Sequence, residues 1–335
     1  MQVRKLFSFP GRAINCLDVF GNNVVVGGGK GPEGPAILLV NRSSGQQRDI
    51  TPSFSFSQHN GLWEPEKVAL TGDGRILLWL SGLCRGLYLF DGTHWSPIGS
   101  YAFGSAATDV RSITCMWRSP AGEVYIGLSY RSTAHPLVMR LIGDVWSQVG
   151  EPIRSAGEIR AFACDANGNL AVGGSFGPDP ALILQGREFV PLGRISGLAG
   201  SFEGMTYLQD TFVGVGRVAS NEEGDGFVHV AYLDPVQNRW LAYTSFAPAS
   251  LDPGVHCIAT LGERMIVDAR SYSPRREIRH GVVGTYALDD CGNSTRLLDH
   301  SGHPLSSNLL ASTDNVVVVV SRTTPLHEEV VEFTC

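Results

Sequence analysis

The sequence predicts an all-β chain: a seven-bladed β-propeller of four-stranded antiparallel blades, its last blade closed by the N-terminal strand. Three observations predict it. An aromatic anchor recurs at Trp95, Trp146, Phe189 and Trp240, in steps of 51, 43 and 51 residues. Between anchors a short apolar strand, an Asn/Gly turn and a second apolar strand repeat. The two ends of the chain carry complementary gaps. Self-similarity at a period of 20–50 residues marks repeat architectures.

The first two strands of a unit are clearest in Ile14–Leu17, Gly21–Asn23 and Val24–Gly28. They return as Ile113–Met116, Pro120–Gly122 and Val124–Gly127, and as Ile159–Phe162, Asn167–Asn169 and Leu170–Gly174. Asn and Gly supply the positive φ that tight hairpin turns need. A third strand follows each Gly/Pro/Ser-rich loop: Ala36–Val40, Leu87–Phe90, Leu137–Ile142, Ala181–Gln185 and His229–Leu233. The anchor lies on the fourth strand. A lone meander cannot bury both faces, so the units stack, and radial stacking gives a propeller.

First strands near Ile14, Val68, Ile113, Ile159, Phe202, Val255 and Leu309 place the blades at about 12–50, 60–99, 108–150, 157–193, 200–245, 253–299 and 303–335, one domain in all. The seventh unit runs out after its third strand, Glu329–Phe333. The spare strand over 3–9 fits that gap and covers an edge that would otherwise stay open.

Composition agrees. Only 17% of residues are charged, and 40 Gly with 18 Pro favour many turns over long helices. A net charge of −6 disfavours a nucleic-acid partner, which usually demands a basic excess. No apolar run is long enough for a signal peptide or a membrane span. Seven cysteines without a CxxC pair point to a reducing, cytoplasmic setting.

The doublets Gly27-Gly28 and Gly173-Gly174 resemble kelch repeats, as does the run Tyr232–Trp240. Trp146–Phe176 is similar to repeats of galactose-oxidase-like propellers. Gly214-Val215-Gly216 and Asp268-Ala269 replace the doublet in units five and six, and no Gly-His…Trp-Asp signature of WD40 repeats appears. The resemblance implies a propeller and a partner-binding role. It carries no catalytic residue onto any position.

Gly29–Gly34 has the glycine spacing of a dinucleotide loop, but Pro32 and the β-like Ala36–Val40 leave no helix to face a pyrophosphate. No HExxH, SxxK, GxSxG or zinc spacing occurs, so no catalytic residue, metal or cofactor is expected. Cys16, Cys115 and Cys257 align with Ala69, Ala161 and Gly204 at a small-residue packing position. Cys335 is expected to be the most reactive thiol. Beside the packing position Asn15, Val68, Thr114, Arg160, Glu203, His256 and Ser307 share a register, six of them polar. Alternation sets them towards a central channel, where Arg160 would bring charge and His256 a titratable donor.

Loops between second and third strands share one face of the disc. Tyr130, Arg131 and His135 lie in unit three, Arg217, Glu222 and Glu223 in unit five, and Arg270, Tyr272, Arg275, Arg276 and Arg279 in unit six. Long loops on a rigid scaffold carry binding. The expectation is a non-catalytic module that docks a protein partner through this face, within a larger assembly. The alternatives are a carbohydrate-binding propeller and a hydrolase or lyase at the channel mouth.

Overall fold

Seven four-stranded antiparallel sheets form a closed ring in the computed structural model. The structure describes all residues except 11, 31–33, 54–62, 83, 99–109, 131–134, 156, 195–199, 221–225, 244–252, 272–283, 290–293, 306–309, 314, 325–326 and 335. Strand β1 (Gln2–Pro10) precedes the first blade. Blade one is β2 (Ala13–Phe20), β3 (Asn23–Lys30), β4 (Ala36–Asn41) and β5 (Gln47–Asp49). Blade two is β6 (Trp63–Leu70), β7 (Ile76–Gly82), β8 (Gly86–Phe90) and β9 (Trp95–Pro97). Blade three is β10 (Val110–Arg118), β11 (Val124–Tyr130), β12 (Leu137–Ile142) and β13 (Val145–Val149). Blade four is β14 (Glu158–Cys164), β15 (Leu170–Phe176), β16 (Asp179–Gln185) and β17 (Glu188–Pro191). Blade five is β18 (Ser201–Leu208), β19 (Thr211–Ser220), β20 (Gly226–Asp234) and β21 (Arg239–Ala242). Blade six is β22 (Pro253–Leu261), β23 (Arg264–Ser271), β24 (Gly284–Leu288) and β25 (Ser294–Arg296). Blade seven is β26 (Leu310–Thr313), β27 (Val316–Thr324), β28 (His327–Thr334) and, outermost, β1.

The first strands touch in the order β2, β6, β10, β14, β18, β22, β26, and β26 returns to β2. Second strands are covered on both faces, so Val24–Val26, Leu77–Leu80 and Val316–Val320 read as unbroken apolar runs rather than alternating ones. The buried side chains fall into seven clusters, one at each blade–blade interface. Phe9, Ile14 and Val318 meet between blades seven and one; Ile159 and Phe162 of blade four meet Tyr125 of blade three.

Closure is antiparallel, with Val3 opposite Phe333 and Ser8 opposite Glu329. Charge reinforces it. Glu332 accepts hydrogen bonds from Arg4 Nη2 at 2.7 Å and from Arg42 Nε of blade one at 2.5 Å. Lys5 Nζ pairs with Glu329 at 2.5 Å, and the buried Glu328 accepts the Ile14 N–H.

The fourth-strand tryptophans lock blades together. Trp95 Nε1 donates to the Ile50 carbonyl at 2.5 Å, and Trp240 Nε1 to that of Leu192 at 2.6 Å. Each acceptor lies one residue past the fourth strand of the preceding blade. Among the described residues there is no helix, hence none long and apolar enough to cross a membrane.

Candidate functional site at the channel mouths

In six blades the first strand carries a β-bulge at one register against the second strand. The pairing skips from Ile14 to Cys16, Pro65 to Lys67, Ile113 to Cys115, Ile159 to Ala161, Phe202 to Gly204 and Val255 to Cys257. The skipped residues are Asn15, Glu66, Thr114, Arg160, Glu203 and His256. All are polar, and a bulge turns its extra residue out of the ladder. Five are the sequence-predicted positions. Blade two is a correction: Glu66, not Val68, stands there, and Lys67, not Ala69, takes the packing position. Val68 is buried between blades one and two. Ser307 lies outside the described residues.

The bulge also accounts for the glycine doublets. A Cβ on Gly28 would meet the Ala13 carbonyl oxygen at 2.7 Å, and one on Gly174 the Glu158 oxygen at 2.0 Å. A Cβ on Gly27 would meet Cys16 Sγ at 2.6 Å and, from the next blade, Pro65 Cβ at 2.9 Å. Blade five exchanges this volume across the pair, with Val215 opposite Gly204 where blade one has Gly27 opposite Cys16.

The bulge residues sit at the end of the first strands beside which the second-to-third-strand loops leave. Arg160 bonds Glu203 of the next blade, and its Nη2 lies 3.4 Å from Glu158 Oε2. Glu66 accepts the Trp79 indole N–H at 3.2 Å, and Thr114 Oγ1 donates to Gly127 O at 3.1 Å. Cys16 and Cys115 face the blade interfaces, where burial pushes each thiol up to about 12; they act as small apolar fillers. Tyr130 ends β11 opposite Val110, Arg217 lies within β19 opposite Ser201, and Arg270, next to last in β23, stands opposite Gly254. His135 Nδ1 lies 3.1 Å from Ile153 O of its own blade. Arg131, Glu222, Glu223, Tyr272, Arg275, Arg276, Arg279 and Cys335 lie outside the described residues.

The opposite mouth holds a group the repeat alignment does not single out. Three and four residues past the bulge stand Asp18-Val19 in blade one and Trp117-Arg118 in blade three. Ala69-Leu70, Ala163-Cys164, Thr206-Tyr207 and Ala259-Thr260 fill the same places elsewhere. Arg118 reaches from blade three to blade one: Nη2 donates to Val19 O at 2.7 Å, and the guanidinium packs 4.0 Å from the Phe20 ring centre. Asp18 Oδ1 accepts the Val19 N–H at 2.8 Å and Oδ2 the Leu70 N–H of blade two at 2.7 Å. Burial raises its carboxyl above the ordinary range, against the opposing pull of Arg118 and these two N–H groups. Around the cluster lie a cavity of about 260 Å³ at the mouth and one of about 210 Å³ beneath. The two charges, Asp18 and Arg118, stand at places where the other aligned units carry uncharged residues.

No family model matches this chain, and no curated protein matches it in sequence. Solved structures match in fold. Virginiamycin B lyase from Staphylococcus aureus aligns over 99% of each chain at 8% identity and a TM-score of 0.61. YCF48 bound to D1 peptide aligns over 100% of this chain and 96% of its own, at 12% identity and 0.59. A prolyl endopeptidase aligns at 12% identity and 0.60 over 97% of this chain but 48% of its own. This chain is a seven-bladed β-propeller. Identities this low carry the fold alone, and the three similar structures comprise a lyase, a peptide-bound protein and a peptidase. None of the three is a kelch protein or a galactose oxidase, and the doublets have a local cause in the bulge.

Proposed function

We propose that the protein is a non-catalytic interaction module that docks a protein partner on the loop face, as a subunit of a larger assembly. The polar ring of bulge residues carries this reading. Asn15, Thr114, Arg160 and Glu203 are half-buried hydrogen-bonding and charged groups, with Arg160 held between Glu158 and Glu203. The proposed docking face also takes in Tyr130, Arg131, His135, Arg217, Glu222, Glu223, Arg270, Tyr272, Arg275, Arg276 and Arg279. The D1-peptide complex of YCF48 supports it as a precedent for the fold. Against a carbohydrate reading, Trp240 packs edge-on against Phe202 and Trp95 at a tilt against Phe90, so both rings serve internal packing. Charge reversal of Arg275, Arg276 and Arg279 together with Arg160→Glu tests the proposal. A cross-linked partner seen with the wild type should be lost at unchanged thermal midpoint. Retention of the same partner would reject this face.

A further inference from the structure

We infer that the rim of blade seven is a second docking surface, where the outer edge of β1 takes an extended, acidic segment of a protein partner as a fifth strand. The inference stands apart from the loop-face reading. Propellers leave only short edges at their rims. The outermost strands β5, β9, β13, β17, β21 and β25 keep to this, with three to five residues each. β1 has nine. Its length serves closure, because it must match β28 along the joint. The same length leaves a long edge on the other side. β1 ends its sheet, and among the described residues no strand pairs with its outer side. Such an edge offers a row of backbone N–H and C=O groups to a further strand.

The edge carries its own selectivity. Residues 1–5 are exposed, and a bulge between Lys5 and Phe7 ends the straight run at residues 2–5. The Arg4 and Lys5 side chains are 51% and 36% exposed, whereas their carboxylates, Glu332 and Glu329, are 4% and 16% exposed. Arg42 brings a second cation to Glu332. The field at this edge is therefore positive, on a chain whose net charge is −6. A second copy of β1 would set Arg4 and Lys5 against their own kind, and an acidic strand would not. β28 shows the pattern that fits: Phe333 opposite Val3, Glu332 opposite Arg4, and Glu329 reaching Lys5. On the outer side the same spacing sets an apolar residue beside Val3 and carboxylates beside the two cations. Both cations stay on the β28 carboxylates, and their exposed sides meet the added strand. Main-chain bonds supply the affinity of strand addition, and alternate side chains its selectivity.

The peptide of residues 327–334, with both ends blocked, is the probe, since it carries the β28 pattern. Fluorescence anisotropy of a labelled copy with the full chain should show saturable binding. The peptide with Glu329→Gln and Glu332→Gln should bind about tenfold more weakly. Val3→Glu in the chain should weaken binding of the first peptide by about the same factor at an unchanged thermal midpoint. Gln2→Glu is the substitute where Val3→Glu does not fold. Arg160→Glu, on the loop face, should bind the peptide as the wild type does. Hydrogen exchange separates addition from displacement. In addition, residues 2–5 gain protection and β28 keeps its own. Loss of protection in β28 would show that the peptide had displaced it and would overturn the inference. No saturable binding, equal affinity for the two peptides, or undiminished binding by the edge variant would overturn it as well. A concentration-dependent dimer that protects residues 2–5 would assign the edge to a second copy instead.

Discussion

At the scale of single residues, Trp240 shows how one side chain serves both packing and polarity. Its ring fills the interface between blades four and five, and its indole N–H satisfies the Leu192 carbonyl. Trp240→Phe keeps most of the apolar area and removes the donor, leaving a buried carbonyl without that partner. The expected cost is about 1–3 kcal/mol, read as a lower urea midpoint at unchanged slope. Phe189, at the equivalent place in blade four, makes the same point by nature: the position demands a large ring and tolerates loss of the N–H. That much is legible in the sequence, since an aromatic at a regular interval reads as packing. The acceptor is not legible, because it lies about 48 residues away on another blade.

At the scale of strands and turns, the recurring device is a carboxylate that organises a turn. Asp91 Oδ1 accepts the N–H groups of Thr93 and His94, Asp165 those of Asn167 and Asn169, and Asp234 those of Val236 and Gln237. At Asp91 and Asp165 these bonds favour the charged form, and at Asp91 they bring the carboxyl down to about 2. A depressed folded value means that the stabilisation is present above the ordinary carboxylate range and fades as pH falls towards 2. Asp91→Asn should therefore lower the urea midpoint at pH 7, and the gap from wild type should close between about pH 4 and pH 2. The turns are legible because Asp, Asn and Gly announce them locally. The bulge is harder to see. It inserts one residue into a period of two, and in blade two Lys67 and Trp79 stand where blades one, three and four pair a small residue with glycine, with Pro65 in place of the apolar residue before the bulge. Hence Val68 reads as the equivalent of Asn15, two residues from the true position. The Asp18–Arg118 cluster escapes for a related reason: its members converge from three blades, and each looks unremarkable within its own strand.

At the scale of the whole ring, stability depends on closure by β1. Seven interfaces share one topology, but only the one between blades seven and one is made by joining the two ends of the chain. Glu332 is the charged centre of that joint, with a side chain 4% exposed and cations arriving from β1 and from blade one. Glu332→Ala leaves the mostly buried Arg42 without its carboxylate. Removing one partner of a buried pair costs far more than the pair itself contributes, here about 3 kcal/mol. Glu332→Gln keeps two polar atoms for the arginines and should cost less. Deletion of residues 1–10 is the stronger test. It removes Phe7 and Phe9 from the core and strips β28 of its outer neighbour, exposing a long unpaired edge. Size-exclusion chromatography and thermal melting should show a self-associating chain with a broadened transition. Adding a synthetic peptide of residues 1–10 in trans should restore a monomeric peak and a sharp melt, because the register between β1 and β28 is written in side chains that the peptide retains. A truncated chain that stayed monomeric and melted as the full chain does would show that the ring holds without its latch.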